Sequence, residues 1–210
     1  MNLEKKVNIV VITLIIILVI GIISLVIYQK YKYRSVYFNY NGFDVHKVKR
    51  GNVDFYYIKM FLEGSDKPLV ISTRNDPRTL EDISIEDDFE DIKKAIIKRE
   101  LYISLDTNTT GLSVISGMEI SKITGNSVLY NIPTHGAMIS KIEGKNVTVK
   151  SCYAADNKTG VIWLKLGNKT RIYSKGINKN KCVIIEGSNE YELIRGADRF
   201  ILTLLGIMKP

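Results

Sequence analysis

Between Lys6 and Lys30 the chain has no charged side chain. Histidine, cysteine and tryptophan are nearly missing as well, with two, two and one in 210 residues, and proline occurs four times. So few soft ligands argue against a zinc site, and Cys152 and Cys182 are too far apart for a C-x-x-C pair. The sequence holds no G-x-S-x-G elbow, no H-E-x-x-H and no phosphate-binding P-loop, so the common signatures of hydrolases, zinc proteases and nucleotide enzymes are absent. There is no internal repeat and no low-complexity tract. No cofactor and no metal are expected from this inventory.

The uncharged stretch is itself a signal. Residues 7–28 are almost entirely Ile, Leu and Val, and about 20 such residues cross the hydrocarbon core of a bilayer. Within lipid the backbone must satisfy its own hydrogen bonds, which predicts a helix. A cleaved signal peptide has a shorter apolar core and small residues at its exit; here the exit reads Ser24-Leu25-Val26-Ile27-Tyr28, which favours an uncleaved anchor. The expected organisation is a tail over 1–6, a transmembrane helix over 7–28, a basic tyrosine-rich stalk over 29–50 and one domain over 51–210.

Charge supports the membrane as partner. The formal net charge is +8, and six basic residues fall within 30–50 against the single acid Asp44. Tyrosines interleave them, and both types sit at the headgroup level. The domain beyond is nearly neutral and shows no nucleic-acid module, which excludes nucleic acid as a partner. Lys and Arg counts on the two sides of the anchor nearly tie. Four sequons, at Asn108, Asn146, Asn157 and Asn168, and the pair Cys152 and Cys182 favour an extracytoplasmic domain, glycosylated and disulfide-bonded. Two unpaired buried thiols in a cytoplasmic domain are the alternative.

The domain reads as α/β (or α+β). Strands are expected over 53–62, 67–73, 101–105 and 127–132, with helices over 81–100 and 112–123 between them, a βαβαβ half with a parallel sheet. The seven carboxylates from Glu81 to Asp91 lead a helix that ends in Lys93, Lys94, Lys98 and Arg99, which suits the macrodipole and a Glu90–Lys94 pair rather than a metal. Short strands follow over 146–152, 160–166, 169–173 and 182–186, with Gly167-Asn168 as a hairpin signal. A closing helix starts behind Asn189, with Glu192 placed for a capping box, and stops at Gly206. Its Arg195, Asp198 and Arg199 read as a solvated face.

In an open parallel sheet, ligands bind beyond the carboxyl ends of the strands. Three loops are expected there: 74–78, 106–111 and 133–136. They supply Asp76, Asp106 and His135 as catalytic candidates and Arg74, Asn75, Arg78, Thr110 and Thr134 as ligand-binding candidates. The second loop opens a helix, whose free N–H groups favour an anion. It also begins like a calcium loop, but Gly117 stands where the bidentate Glu belongs.

The run Arg74 to Arg78, the stretch Gly160 to Asn168, Cys182 to Gly187, and Ala197-Asp198-Arg199 with Leu204 to Met208 resemble stretches in uncharacterised single-pass membrane-anchored archaeal proteins. The resemblance implies a surface-facing domain and no particular activity. Three functions follow from the sequence. The first is a membrane-anchored surface module that binds or assembles with a protein or glycan. The second is a tethered hydrolase or glycan-acting enzyme using the three loops. The third is a cytoplasm-facing, membrane-docked scaffold.

Overall fold

The computed structural model describes residues 3–32, 36–176 and 181–210, with the side chains of the first helix described from 12 to 28. Helix α1 runs from Leu3 to Lys32. Its large apolar side chains from Ile12 to Ile27 are 46–63% exposed. Among the described residues no helix is long and apolar enough to cross a membrane. Residues 7–11 of the stretch expected to span lie outside the described side chains.

The rest is mixed α and β, with two sheets and helices between them. Strands β1 (Val36–Tyr40), β2 (Phe43–Arg50), β3 (Val53–Phe61) and β4 (Pro68–Thr73) form an antiparallel sheet in sequence order. There is no stalk over 36–50. Asn41-Gly42, both at positive φ, turn β1 into β2, and Tyr40 and Val45 are buried in the core. Alternation explains the misreading: Val45 points inward while Asp44, His46 and Arg50 take the other face.

The second sheet has the order β5-β9-β10-β8-β6-β7. Its strands are β5 (Ser84–Ile85), β6 (Glu100–Leu105), β7 (Thr134–Met138), β8 (Thr159–Leu166), β9 (Arg171–Lys175) and β10 (Cys182–Gly187). Strands β7, β6, β8 and β10 run parallel to one another, and β9 is antiparallel to β10. The expected βαβαβ half survives only as β6, helix α3 (Gly111–Thr124) and β7, because the strand over 68–73 belongs to the other sheet. The helix expected over 81–100 shortens to α2 (Phe89–Ile96). Asp88 caps it by accepting from the Glu90 N–H, while Leu80 and Ile83 are buried ahead of it in turns. Lys93, not Lys94, pairs with Glu90.

Residues 127–130 are a turn rather than a strand. The Asn126 side chain accepts from the Val128 N–H, its carbonyl accepts from the Asn131 N–H, and Asn131 sits at φ 50°, so the chain coils before β7 can begin. The strand expected over 146–152 reduces to one bridge, Val149 to Met138, and a 3-10 turn over Cys152–Ala154.

Helix α4 (Glu190–Leu204) lies between the sheets. On one side Gly196 is so close to β10 that a Cβ there would stand 2.8 Å from Ile185. On the other, Asp198 bonds the loop after β4. Helix α3 is sandwiched likewise: Gly117 faces Ile103 and Leu164, while Lys122 reaches Ser72 at 2.8 Å. One continuous core joins both sheets to the helices. Among the described residues the far face of the second sheet carries no α-helix. It is crossed by residues 139–158, pinned by the Cys152–Cys182 disulfide, with Cα atoms 5.1 Å apart.

Candidate functional site

The three loops expected to meet lie at three places. Loop 74–78 leaves the antiparallel sheet and ties it to α4. The Asp198 Oδ2 accepts from the N–H groups of Arg74 and Asn75 (3.0 and 2.9 Å) and from Asn75 Nδ2 (2.8 Å). Arg74 Nε donates to Glu119 at 3.3 Å. Asp76 caps the turn Pro77–Thr79 and holds Arg78 through bonds of 3.0 and 2.6 Å. Burial raises the Asp76 carboxyl, but the Arg78 bonds outweigh it and hold it below the ordinary range. Arg78 lies over the Phe38 ring at 3.9 Å.

Loop 106–111 does emerge at the carboxyl end of β6. The Asp106 carboxylate accepts from the Thr107 N–H at 3.0 Å. Thr110 caps α3, and its N–H and hydroxyl both donate to Glu190, the first residue of α4. Those bonds from Thr110 hold the Glu190 carboxyl below its ordinary range. The chain thus supplies its own anion to the helix end that was expected to receive one.

Thr134 and His135 lie at the opposite edge. Strand β7 is parallel to β6, with His135 beside Tyr102 and Met138 beside Leu105. Asp106 follows Leu105, so it is about 13 Å along the strand from the level of His135. The exposed His135 ring packs 5.2 Å from Tyr102, and Thr134 Oγ1 bonds Ile132 and Thr124, both at 2.9 Å. Asp76, Asp106 and His135 therefore do not converge. Among the described residues no group of His, Cys, Asp and Glu could hold a metal ion.

Asp198 and Arg199 are not on a solvated face. Both are buried, because α4 has a sheet on either side. Asp198 Oδ1 has no hydrogen-bond partner among the described residues. Burial, offset in part by Asn75 and reinforced by the nearby Glu119 carboxylate, pushes the Asp198 carboxyl up to about 7. Burial also lowers the Arg199 guanidinium, whose Nε donates to the Ile83 carbonyl at 3.3 Å. The neighbours Gly196 and Ala197, which permit close approach, are the sequence signal that this helix is enclosed. On the far face of the second sheet Glu186 is similarly occupied, accepting from Arg171, Lys165, Tyr173 and the Asn168 N–H. These carboxylates are spent on holding elements together.

What remains open is the outer edge of β7. The Leu101 N–H donates to Pro133 and the Ile139 N–H to Leu105, so the odd-numbered residues of β7 bond β6 and the even-numbered ones face away. At Met138 the outward groups are taken by Thr148 and Lys150. Among the described residues no backbone group meets those of Thr134 and Gly136. Beside this edge is a cleft of about 400 Å³, walled by Ile103, Val114, Gly117, Met118, Met138 and Val147. Val114 and Met118 on α3 are 45% and 61% exposed. A Cβ at Gly136 would meet nothing within 4 Å, so the approach is unobstructed. A second cavity, of about 560 Å³, lies on the far face between Trp163, Tyr153 and Cys152.

Comparison with known proteins finds no matching family model, and no match among curated proteins or solved structures.

Proposed function

We propose that the chain is a membrane-anchored, extracytoplasmic binding module that takes an extended segment of a protein partner along β7. The observation that carries the reading is the pairing of unmet backbone groups at Thr134 and Gly136 with the apolar cleft between β7 and α3. Strand addition uses this combination: the edge supplies hydrogen bonds and the cleft receives alternate side chains. An unprotected edge is otherwise a liability. The enzyme reading through the three loops is less well supported, since its acid–base candidates Asp76, Asp106 and His135 stand apart.

The anchor reading is supported by the charge-free apolar run over residues 7–28, whose described large apolar side chains from Ile12 to Ile27 are exposed. The extracytoplasmic placement is supported by the Cys152–Cys182 disulfide and by the exposure of all four sequon asparagines, Asn108, Asn146, Asn157 and Asn168. A cytoplasm-facing scaffold accounts for neither.

Gly136→Pro tests the edge. It deletes an outward N–H without touching a bond to β6, and proline is tolerated on edge strands. A photo-cross-linking residue at Met118 in the full chain is expected to capture one defined partner in cells and to lose it when Gly136→Pro is added. Undiminished capture of the same partner by the proline variant would refute strand addition.

A further inference from the structure

The end of the domain nearest the anchor carries an unpaired basic hairpin tip. Four residue steps separate Lys32, the end of α1, from Val36, a reach of at most about 14 Å. Val36 is level with Lys47 of β2, and β2 continues for three more residues before turning into β3, about 10 Å further along the strand. The tip of that hairpin is Val48-Lys49-Arg50-Gly51-Asn52-Val53, with Gly51 at φ 62° making the turn. Lys49, Arg50 and Val53 are exposed.

The tip's only acidic neighbour in the ladder, Asp54, is paired with Lys47 at 2.7 Å. Among the described residues no acid pairs with Lys49 or Arg50. The Arg50 guanidinium instead stands over Phe55 and Tyr57, at 6.0 and 5.5 Å, on the outer face of the sheet. Cations over aromatic rings with exposed valine beside them are the side chains that enter a headgroup layer.

We infer that the β2–β3 hairpin tip docks on anionic lipid headgroups, with Lys49 and Arg50 on the phosphates and Val53 beneath them. The inference rests on the reading of α1 as a membrane span, because the short connection to α1 is what keeps the tip at the surface. Each cation near an anionic surface is worth about 1 kcal/mol, or roughly fivefold, so the two together are worth roughly thirtyfold in the docked-to-undocked ratio. Docking would also fix the orientation of the domain relative to the bilayer.

The test places the full chain in nanodiscs of phosphatidylcholine, with or without phosphatidylglycerol, carrying a gadolinium chelate on the headgroups. Relaxation of the Val53 methyl signals reports docking. A lipid-chain-embedded spin label acting on Leu18 reports insertion of α1 in the same sample. The expected result is Val53 broadening that needs phosphatidylglycerol and is lost in Lys49→Gln/Arg50→Gln. Val53 broadening that is equal in both lipids, or untouched by the double substitution, overturns docking while Leu18 broadening keeps the anchor. Val53 broadening dependent on phosphatidylglycerol without Leu18 broadening overturns the anchor and keeps docking. Absence of both effects overturns both.

Discussion

Asp198→Asn should flatten the dependence of stability on pH. The Asp198 carboxyl is fully buried and pushed from an ordinary 3.8 to about 7, so the folded chain holds this proton more tightly than the unfolded chain does. Its favourable contribution is complete below pH 3.8 and is lost as the pH rises through about 7. Three pH units at 1.36 kcal/mol each set an order of about 4 kcal/mol lost between those limits. Asparagine keeps the oxygen that accepts from Arg74 and Asn75 and never ionises. Its amide replaces Oδ1, which has no partner, and any cost of the new N–H₂ is independent of pH. Subtracting the variant's stability from that of the wild type cancels the other carboxylates. Asp76, Glu186 and Glu190 are held low and pull the other way, since their contributions disappear as the pH falls.

The assay is urea unfolding of the full chain in a nonionic detergent from pH 4 to 8.5, read by the fluorescence of Trp163, the only tryptophan. Asp198→Asn should gain on the wild type by about 4 kcal/mol across that range, most of it before pH 7. A gap between the two proteins that stays constant with pH would refute the claim that Asp198 is protonated at mildly acidic pH.

Two further outcomes follow from close approaches and from the crosslink. Gly187→Ala places a Cβ 2.5 Å from the Leu193 nitrogen, a backbone atom that cannot step aside, and should cost about 3 kcal/mol or more in the same unfolding assay. Cys152→Ala/Cys182→Ala removes a crosslink over a sequence separation of 30 and should cost about 3 kcal/mol, with the wild type falling to the variant's stability in reductant.

The sequence marked elements better than it marked their neighbours. Helix α3 was legible from the loop over 106–111 that opens it, in which Thr110 is the cap, and α4 from Asn189, whose side chain accepts from the Glu192 N–H. The reciprocal half of that capping box is not made, because the Glu192 carboxylate bonds Thr170 and Arg195 instead. The first hairpin carried a strong signal, Asn41-Gly42 between alternating residues, but the tyrosines and lysines around it suggested a membrane stalk. Membership of a sheet has no local signature. Strand β4 looks like any edge strand, and only its pairing with β3 removes loop 74–78 from the parallel edge. The same limit hid His135: Asn126 and Asn131 shift the strand start to Thr134, which puts the histidine on a strand at the opposite end of the sheet from Asp106. The run Arg74 to Arg78 and the triplet Ala197-Asp198-Arg199 stood out as motifs, and the fold explains why in structural terms: they bond each other.

The most direct test of an anchored, outward-facing module is side-specific thiol labelling in intact cells with a reagent that cannot cross membranes. Cys152 is the partly exposed member of the disulfide. Labelling that appears only after treatment with an impermeant reductant is the predicted result. Labelling that requires cell lysis and no reductant would place the domain on the inner side with free thiols, and would contradict the account.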